Sequence, residues 1–306
     1  MMYEKIIRAT LDNRARSDIL MLINTTLKGI VVQRSITSKP TGTLGPQERR
    51  FLSVLASQGM RTFRIEDAKP HWASEGQARK AVSRLRRKGW LQRLERGVYM
   101  IVPLEAGPEG WWTEDTLVIA TQLAHEGAAA YWTALHYWGM TEQVPRTVFV
   151  QTSHRRARWN VTILGVRYRF VSVQREKLFG VSTQTSDGIP FRITDREKTL
   201  VDACDRPDLS GGILQIAQAL GSGVDLDWGK VDAYLARFGS GAVYKRLGYL
   251  AEALDLQLPE RNRRLSAWRE ALTQGIALLE PSAGKAGPTN TRWRVRINVA
   301  GLEALA

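Results

Sequence analysis

Cysteine is almost missing from this 306-residue chain. Cys204 stands alone, which excludes an intrachain disulfide and a cysteine-built zinc cluster and fits a reducing compartment. Histidine is scarce too. His71, His125, His136 and His154 never fall in an H-x-x-x-H or HExxH spacing, so no metal site is expected. Long apolar runs are lacking as well. Ile19–Ile23, the longest near the start, falls far short of the about 20 apolar residues that cross a bilayer. Arg14, Arg16 and Asp18 precede it and no small-residue cleavage site follows closely, so no signal peptide and a cytoplasmic protein are expected. Finally, acids are outnumbered: 30 Asp and Glu face 44 Lys and Arg, a formal charge of +14. Such a surplus favours a polyanionic partner, either nucleic acid or an anionic membrane surface.

What remains is an ordinary globular composition, long enough for two or three domains. Residues 1–45 read as an N-terminal helical extension with apolar positions Ile6, Ile7, Leu11, Ile19, Leu22, Ile23 and Leu27. It closes in a Ser/Thr/Gly/Pro linker, Ser35–Pro46. A compact unit follows over 46–103, and Pro103–Gly110 marks a second boundary. From 111 to 306 the pattern mixes helices and strands. Helical spacing covers Thr113–Ala124 and Tyr131–Gly139; Thr147–Thr152 alternates as a strand. "WNVTIL" and "VRYRFVSV" flank Gly165 as a strand pair with Val166, Tyr168 and Phe170 on one face, and Asp187-Gly188 predicts another hairpin. Thr194 and Glu197 have capping-box spacing ahead of "DREKTLVDACD". Helices are then expected over Gly212–Leu220, Trp228–Phe238, Ala242–Leu254 and Ser266–Leu279, with a terminal strand over Thr291–Val299.

The densest charge lies in "SEGQARKAVSRLRRKGW". Ser74 can cap this helix and Gly89 can end it. At 100° per residue Ala78, Ala81, Val82 and Leu85 share a narrow apolar face, while Lys80, Ser83, Arg84 and Arg87 project opposite, flanked by Arg79, Arg86 and Lys88. Upstream, Pro46 opens a helix carrying Phe51, Leu52 and Leu55, and a short helix lies around Ile65–Lys69 before Pro70. Downstream, two short strands flank Glu95-Arg96-Gly97. Helix, short helix, basic helix and hairpin is the order of a winged helix-turn-helix, whose third helix enters the major groove and whose wing touches the backbone. Between Ser74 and Val98 there are eight basic residues and two acids, net +6. Expected DNA-binding residues are Gln77, Arg79, Lys80, Ser83, Arg84, Arg86, Arg87, Lys88, Arg93 and Arg96. Most would neutralise phosphates; Lys80, Ser83, Arg84 and Gln77 are placed for base edges.

Two later segments carry a family resemblance. "YWTALHYWGMTEQVPRTVFVQT" resembles an AbiEi motif through Tyr131, Gly139, Gln143, Val144 and Pro145, with Thr133 where Ser is usual. "FRITDREKTLVDACDRPDLSGG" resembles a second through Asp195, Glu197, Thr199, Leu200, Asp202, Arg206 and Pro207, and Tyr244–Leu254 a third. Together with the basic unit the resemblance spans about residues 46–256. AbiEi proteins are antitoxins of type IV toxin–antitoxin systems, linked to abortive phage infection and phage defence. The resemblance implies a mixed α+β chain: an N-terminal winged helix-turn-helix, then an antitoxin domain with antiparallel hairpins and a mostly helical end. It further implies a repressor that binds double-stranded operator DNA and counters an AbiEii-like nucleotidyltransferase toxin without a stable complex. No enzyme activity, cofactor or membrane partner is expected.

Read from the residues alone, Arg155, Arg156, Arg158, Arg167 and Arg169 form a run without acids between His154 and Arg169, a candidate second nucleic-acid surface for DNA or RNA. A hairpin with solvated charges reads the same way. Asp202 and Asp205 lie one turn apart but suit local pairing better than catalysis. A ligand-responsive repressor is one alternative. A PD-(D/E)xK nuclease is another, weakened because Asp67-Ala68-Lys69, inside the DNA reader, is the sole matching triplet.

Overall fold

A computed structural model describes residues 40, 42–102, 115–124, 126–186 and 188–305. The expected helices of residues 1–39 and the boundary at 103–110 lie outside them. Helices and strands are mixed throughout, an α+β chain. The first segment runs α1 (Pro46–Ser57), β1 (Thr62–Arg64), α2 (Ile65–Ala68), α3 (Glu75–Arg87), β2 (Leu91–Glu95) and β3 (Val98–Ile101). That order matches the winged arrangement expected from the sequence, with β1 added. β1 pairs antiparallel with β3, placing β3 at the centre of a three-stranded sheet. Phe51, Leu52 and Leu55 of α1 pack with Ala78, Val82 and Leu85 of α3, so alternate turns of both helices supply one small core.

The second segment centres on a six-stranded sheet. Its strands are β4 (Ala128–Ala129), β5 (Thr147–Thr152), β6 (Asn160–Ile163), β7 (Val166–Ser172), β8 (Val181–Ser186) and β9 (Ile189–Thr194), in the order β6-β7-β5-β4-β9-β8. Hairpins β6–β7 and β8–β9 form the two edges, while β5–β7 and β4–β9 run parallel. Helix α4 (Thr116–Leu123) covers one face. It brings Leu117, Val118 and Leu123 onto Val148, Val150, Tyr168 and Phe170. Leu94, Val98, Met100 and Val102 of the wing join this same cluster. Burying a side chain of that size is worth roughly 1.5–3 kcal/mol, so the two segments share a core and are not merely tethered.

Helix α5 (Trp132–Tyr137) leads from β4 to β5. The helical end comprises α6 (Arg196–Asp205), α7 (Ile213–Leu220), α8 (Trp228–Phe238), α9 (Gly241–Ala253) and α10 (Arg261–Glu270). Three short strands, β10 (Ala277–Leu278), β11 (Thr289–Asn290) and β12 (Val295–Arg296), close the chain. No helix among the described residues is long and apolar enough to cross a membrane.

Three local readings are corrected. Helix α6 is capped by Asp195, whose Oδ1 accepts from Lys198 N at 2.8 Å, not by Thr194. Thr194 is the last residue of β9, and its hydroxyl meets that of Thr199. The helix expected over Ser266–Leu279 starts and ends earlier because Leu265 and Trp268, one turn apart, are its buried anchors; Ala277–Leu278 instead pairs in parallel with β12. The terminal strand shrinks to two residues because Arg294 turns at φ 54 and Trp293 is driven into the core.

Candidate nucleic-acid interface

Helix α3 is built to show its basic side. Ser74 Oγ accepts from Gln77 N at 3.3 Å, and Gly89 leaves the helix at φ 79, where a side chain would be strained. Ala78, Ala81, Val82 and Leu85 are buried, so Gln77, Arg79, Lys80, Ser83, Arg84, Arg86 and Arg87 face solvent. These charges are not equivalent. Lys80, Arg86 and Arg87 have no ion-pair partner among the described residues. Arg84 and Lys88 turn back onto Glu48 in the first turn of α1, at 3.3 and 2.6 Å, and Lys88 also donates to Thr43 O. Burial works to raise the Glu48 carboxyl, but hydrogen bonds from Lys88, the Gly45 amide and Arg84 hold it below its ordinary range. Arg79 pairs with Glu75 at 2.6 Å, and Glu75 also meets Lys69.

The wing stands beside this helix with Arg93 and Arg96 exposed. Between helix and wing, Arg79, Arg93, Arg96, Glu66 and Tyr99 line a concavity of about 460 Å³. On its other side the wing meets the loop after β5, where Arg93, Arg96 and Arg64 face Arg155, Arg156 and Arg158 across a cleft of about 960 Å³.

Arg156 differs from its neighbours. Its guanidinium donates to Glu95 Oε2 at 2.7 Å and to Leu123 O, and lies 3.7 Å over the Phe170 ring. Burial lowers its pKa, with Glu95 working in the opposite direction. Arg155 and Arg158 are exposed and have no acid partner among the described residues. Arg167 and Arg169 do not join them. They alternate with buried Val166, Tyr168 and Phe170 and so point from the opposite face of the sheet.

The motif residues of the second segment hold structure together. Lys198, fully buried, pairs with Asp202 and lies over Phe179 and Phe238. Lys230 bridges Asp195 and Glu197, and Tyr234 donates to Asp195 at 2.8 Å. Asp205 accepts from Ser240 and Arg206 pairs with Asp208, so Asp202 and Asp205 both serve local pairing. Arg246 donates to Cys204 O and Leu278 O, tying the end of α6 to β10. Tyr131 is buried, and Tyr137 packs edge-on against Trp138 and Phe191, a core role. Asp67 accepts from Arg64 N at 2.7 Å, a local cap for α2. Among the described residues no three His, Cys, Asp or Glu side chains are grouped to hold a metal ion.

Glu48, Arg64 and Glu95 escaped the sequence reading. Glu48 had a signal, an acid in the first turn after Pro46; Glu95 had none, because its partner Arg156 lies 61 positions along the chain.

Residues 50–102 match the family model described as transcriptional regulator, AbiEi antitoxin. That segment falls within the winged unit and supports the AbiEi assignment read from the motifs. No curated protein matches the chain. Among solved structures, the RV2827C protein from Mycobacterium tuberculosis shares the fold, with a TM-score of 0.56 at 14% identity over 86% of this chain and 94% of that one.

Proposed function

We propose that this protein is an autoregulatory antitoxin of the AbiEi kind. Helix α3 lies in the major groove of its own operator, and the wing arginines Arg93 and Arg96 hold the adjacent backbone. One observation carries this reading: Lys80, Arg86 and Arg87, without an ion-pair partner among the described residues, lie beside Gln77 and Ser83 on the exposed side of a helix whose other side is sealed into the core. Cations left without acid partners suit phosphates, and Gln77 in the first turn and Ser83 in the third offer hydrogen-bonding groups to base edges. By family resemblance, the second segment counters a nucleotidyltransferase toxin without a stable complex.

Two assays on the full chain test this. In the first, a fluorescent duplex from its own promoter is titrated with protein, where the Lys80→Ala/Arg87→Ala variant loses specific binding. Wild-type affinity in that variant would remove α3 from the interface. In the second, a neighbouring toxin gene is co-expressed and viable cells are counted. Rescue by both wild type and variant supports separate roles; no rescue by the wild type defeats the antitoxin reading.

A further inference from the structure

Away from the basic surfaces, a cavity of about 600 Å³ lies where two hydrophobic cores meet. Leu52, Met60, Trp90 and Ile101 reach it from the core of the winged unit, and Val102 and Ile189 from the core shared with the second segment. Backbone bonds fix its frame: Ile101 N donates to Arg61 O at 2.8 Å and Val102 N to Trp90 O at 3.0 Å. The Trp90 indole is held as well, its Nε1 donating to Gly42 O at 2.8 Å. The walls are therefore set before anything enters. Gly59 and Gly188 border the cavity without side chains, and a Cβ at either would meet nothing within 4 Å among the described residues, which leaves a way in. Sites for small molecules are concave, mostly apolar and about 300–1,000 Å³ in volume.

The charge around this cavity is one-sided. Arg49 of α1 and Arg61 line it, and among the described residues no acid does. Apolar walls with guanidinium groups beside them select a molecule that is apolar along its body and anionic at one end. We infer that the cavity binds a small amphipathic anion, an aromatic or medium-chain carboxylate. Its body lies among Leu52, Met60, Trp90 and Ile189, and its carboxylate meets Arg49, whose planar fork matches two oxygens. Such an occupant touches the DNA-reading unit and the second segment at once, since Ile189 opens β9 and Leu52 belongs to α1. The chain is then a receptor for a small molecule in addition to the roles proposed above.

Calorimetric titration of the full chain tests this with naphthoate and decanoate as probes, and naphthalenemethanol as the neutral counterpart of the first. Wild type is expected to bind both anions saturably and the alcohol about tenfold more weakly. Ala56→Trp and Ser53→Trp place an indole in the cavity from exposed positions of α1. Each should lose about tenfold or more for both anions by steric exclusion, and using two keeps the test intact if one fails to fold. Arg49→Glu should lose about tenfold for the anions and leave the alcohol unchanged. Arg50→Glu carries the same change of charge one position away, outside the cavity lining, and should bind all three compounds as wild type does.

No saturable binding of either anion overturns the site. Full affinity in both tryptophan variants also overturns it, because the anions would then sit elsewhere. Equal affinity for naphthoate and its alcohol, or equal losses from Arg49→Glu and Arg50→Glu, removes the anion selectivity and with it the assigned ligand class. Lys80→Ala/Arg87→Ala should bind both anions like wild type; a loss there would place them on α3 instead of in the cavity.

Discussion

Arg156 and Glu95 are 61 positions apart and meet at 2.7 Å, joining the wing to the sheet of the second segment. The same guanidinium covers Phe170 and donates to the end of α4. One side chain therefore satisfies an ion pair, a helix-terminal carbonyl and an aromatic face. Arg156→Ala leaves Glu95 with no partner at a partly buried site. Breaking a fully buried pair costs about 3–5 kcal/mol, and Glu95 keeps some solvent, so a loss of about 2 kcal/mol in urea unfolding is expected. Arg156→Lys should recover little, because an ammonium cannot serve both Glu95 and Leu123 O from one stem. A stability equal to wild type for Arg156→Ala would show that this link between the segments is dispensable.

Glu48 withholds two cations from the exposed side of α3. Its carboxyl is lowered by Lys88, Gly45 and Arg84 against the opposing effect of burial. A carboxyl with a folded pKa below its unfolded one stabilises above the unfolded value, and that support is lost as pH falls through the folded value. Glu48→Gln should then cost about 1 kcal/mol at neutral pH, with the gap to wild type closing below about pH 4. It also releases Arg84 and Lys88. The salt slope of duplex binding should steepen by about 0.9 if one of them reaches a phosphate; a slope that flattens would contradict this placement.

Asp202 predicts the opposite pH trend. Burial lifts its carboxyl to about 6, although Lys198 pulls it down. Its Oδ2 has no hydrogen-bond partner among the described residues. Because the folded pKa lies above the unfolded one, the native state keeps the proton longer, and stability falls as pH rises from about 4 through 6. Asp202→Asn removes that titration and, like the protonated acid at about pH 4, gives Lys198 a neutral partner, so the two proteins should be closest in stability at acidic pH. The slope decides: wild type minus variant should decline from about pH 4 to about pH 7. A flat difference would mean that Asp202 ionises as it does in the unfolded chain.

Gly248 sits inside α9, where helix propensity alone favours alanine by about 1 kcal/mol. Packing reverses the sign. A Cβ at this position would lie 2.1 Å from the Trp293 ring, which is fully buried and donates to Glu252 at 2.7 Å. Gly248→Ala is expected to destabilise by about 1–3 kcal/mol. In a Trp293→Leu background the alanine should cost much less. A stabilised G248A would refute the packing account.

Local chemistry settled a good deal in advance. Ser74 and Gly89 bound α3, the spacing of Ala78, Ala81, Val82 and Leu85 chose its buried side, and Gly188 with the alternation on both sides of it produced the β8–β9 hairpin. Each depends on neighbours within a few residues, so the pattern is written in order along the chain. Even Arg167 and Arg169 were legible as the wet face of β7.

Tertiary structure decided where those faces point. Nearness along the chain places Arg167 and Arg155 in one basic run, but only the sheet puts the first on the far face and the second in the cleft. The fate of individual charges was likewise set at long range: Arg84 and Lys88 by Glu48, Arg156 by Glu95, Lys198 by the Phe179 and Phe238 rings closing over it. The same holds for Trp293, whose burial against Gly248 broke a strand that alternation had extended to Val299. The sequence by itself determined which residues are cationic and which helix shows them. Which of those cations stay free for a phosphate depends on acids and rings tens of positions away, brought near only by packing.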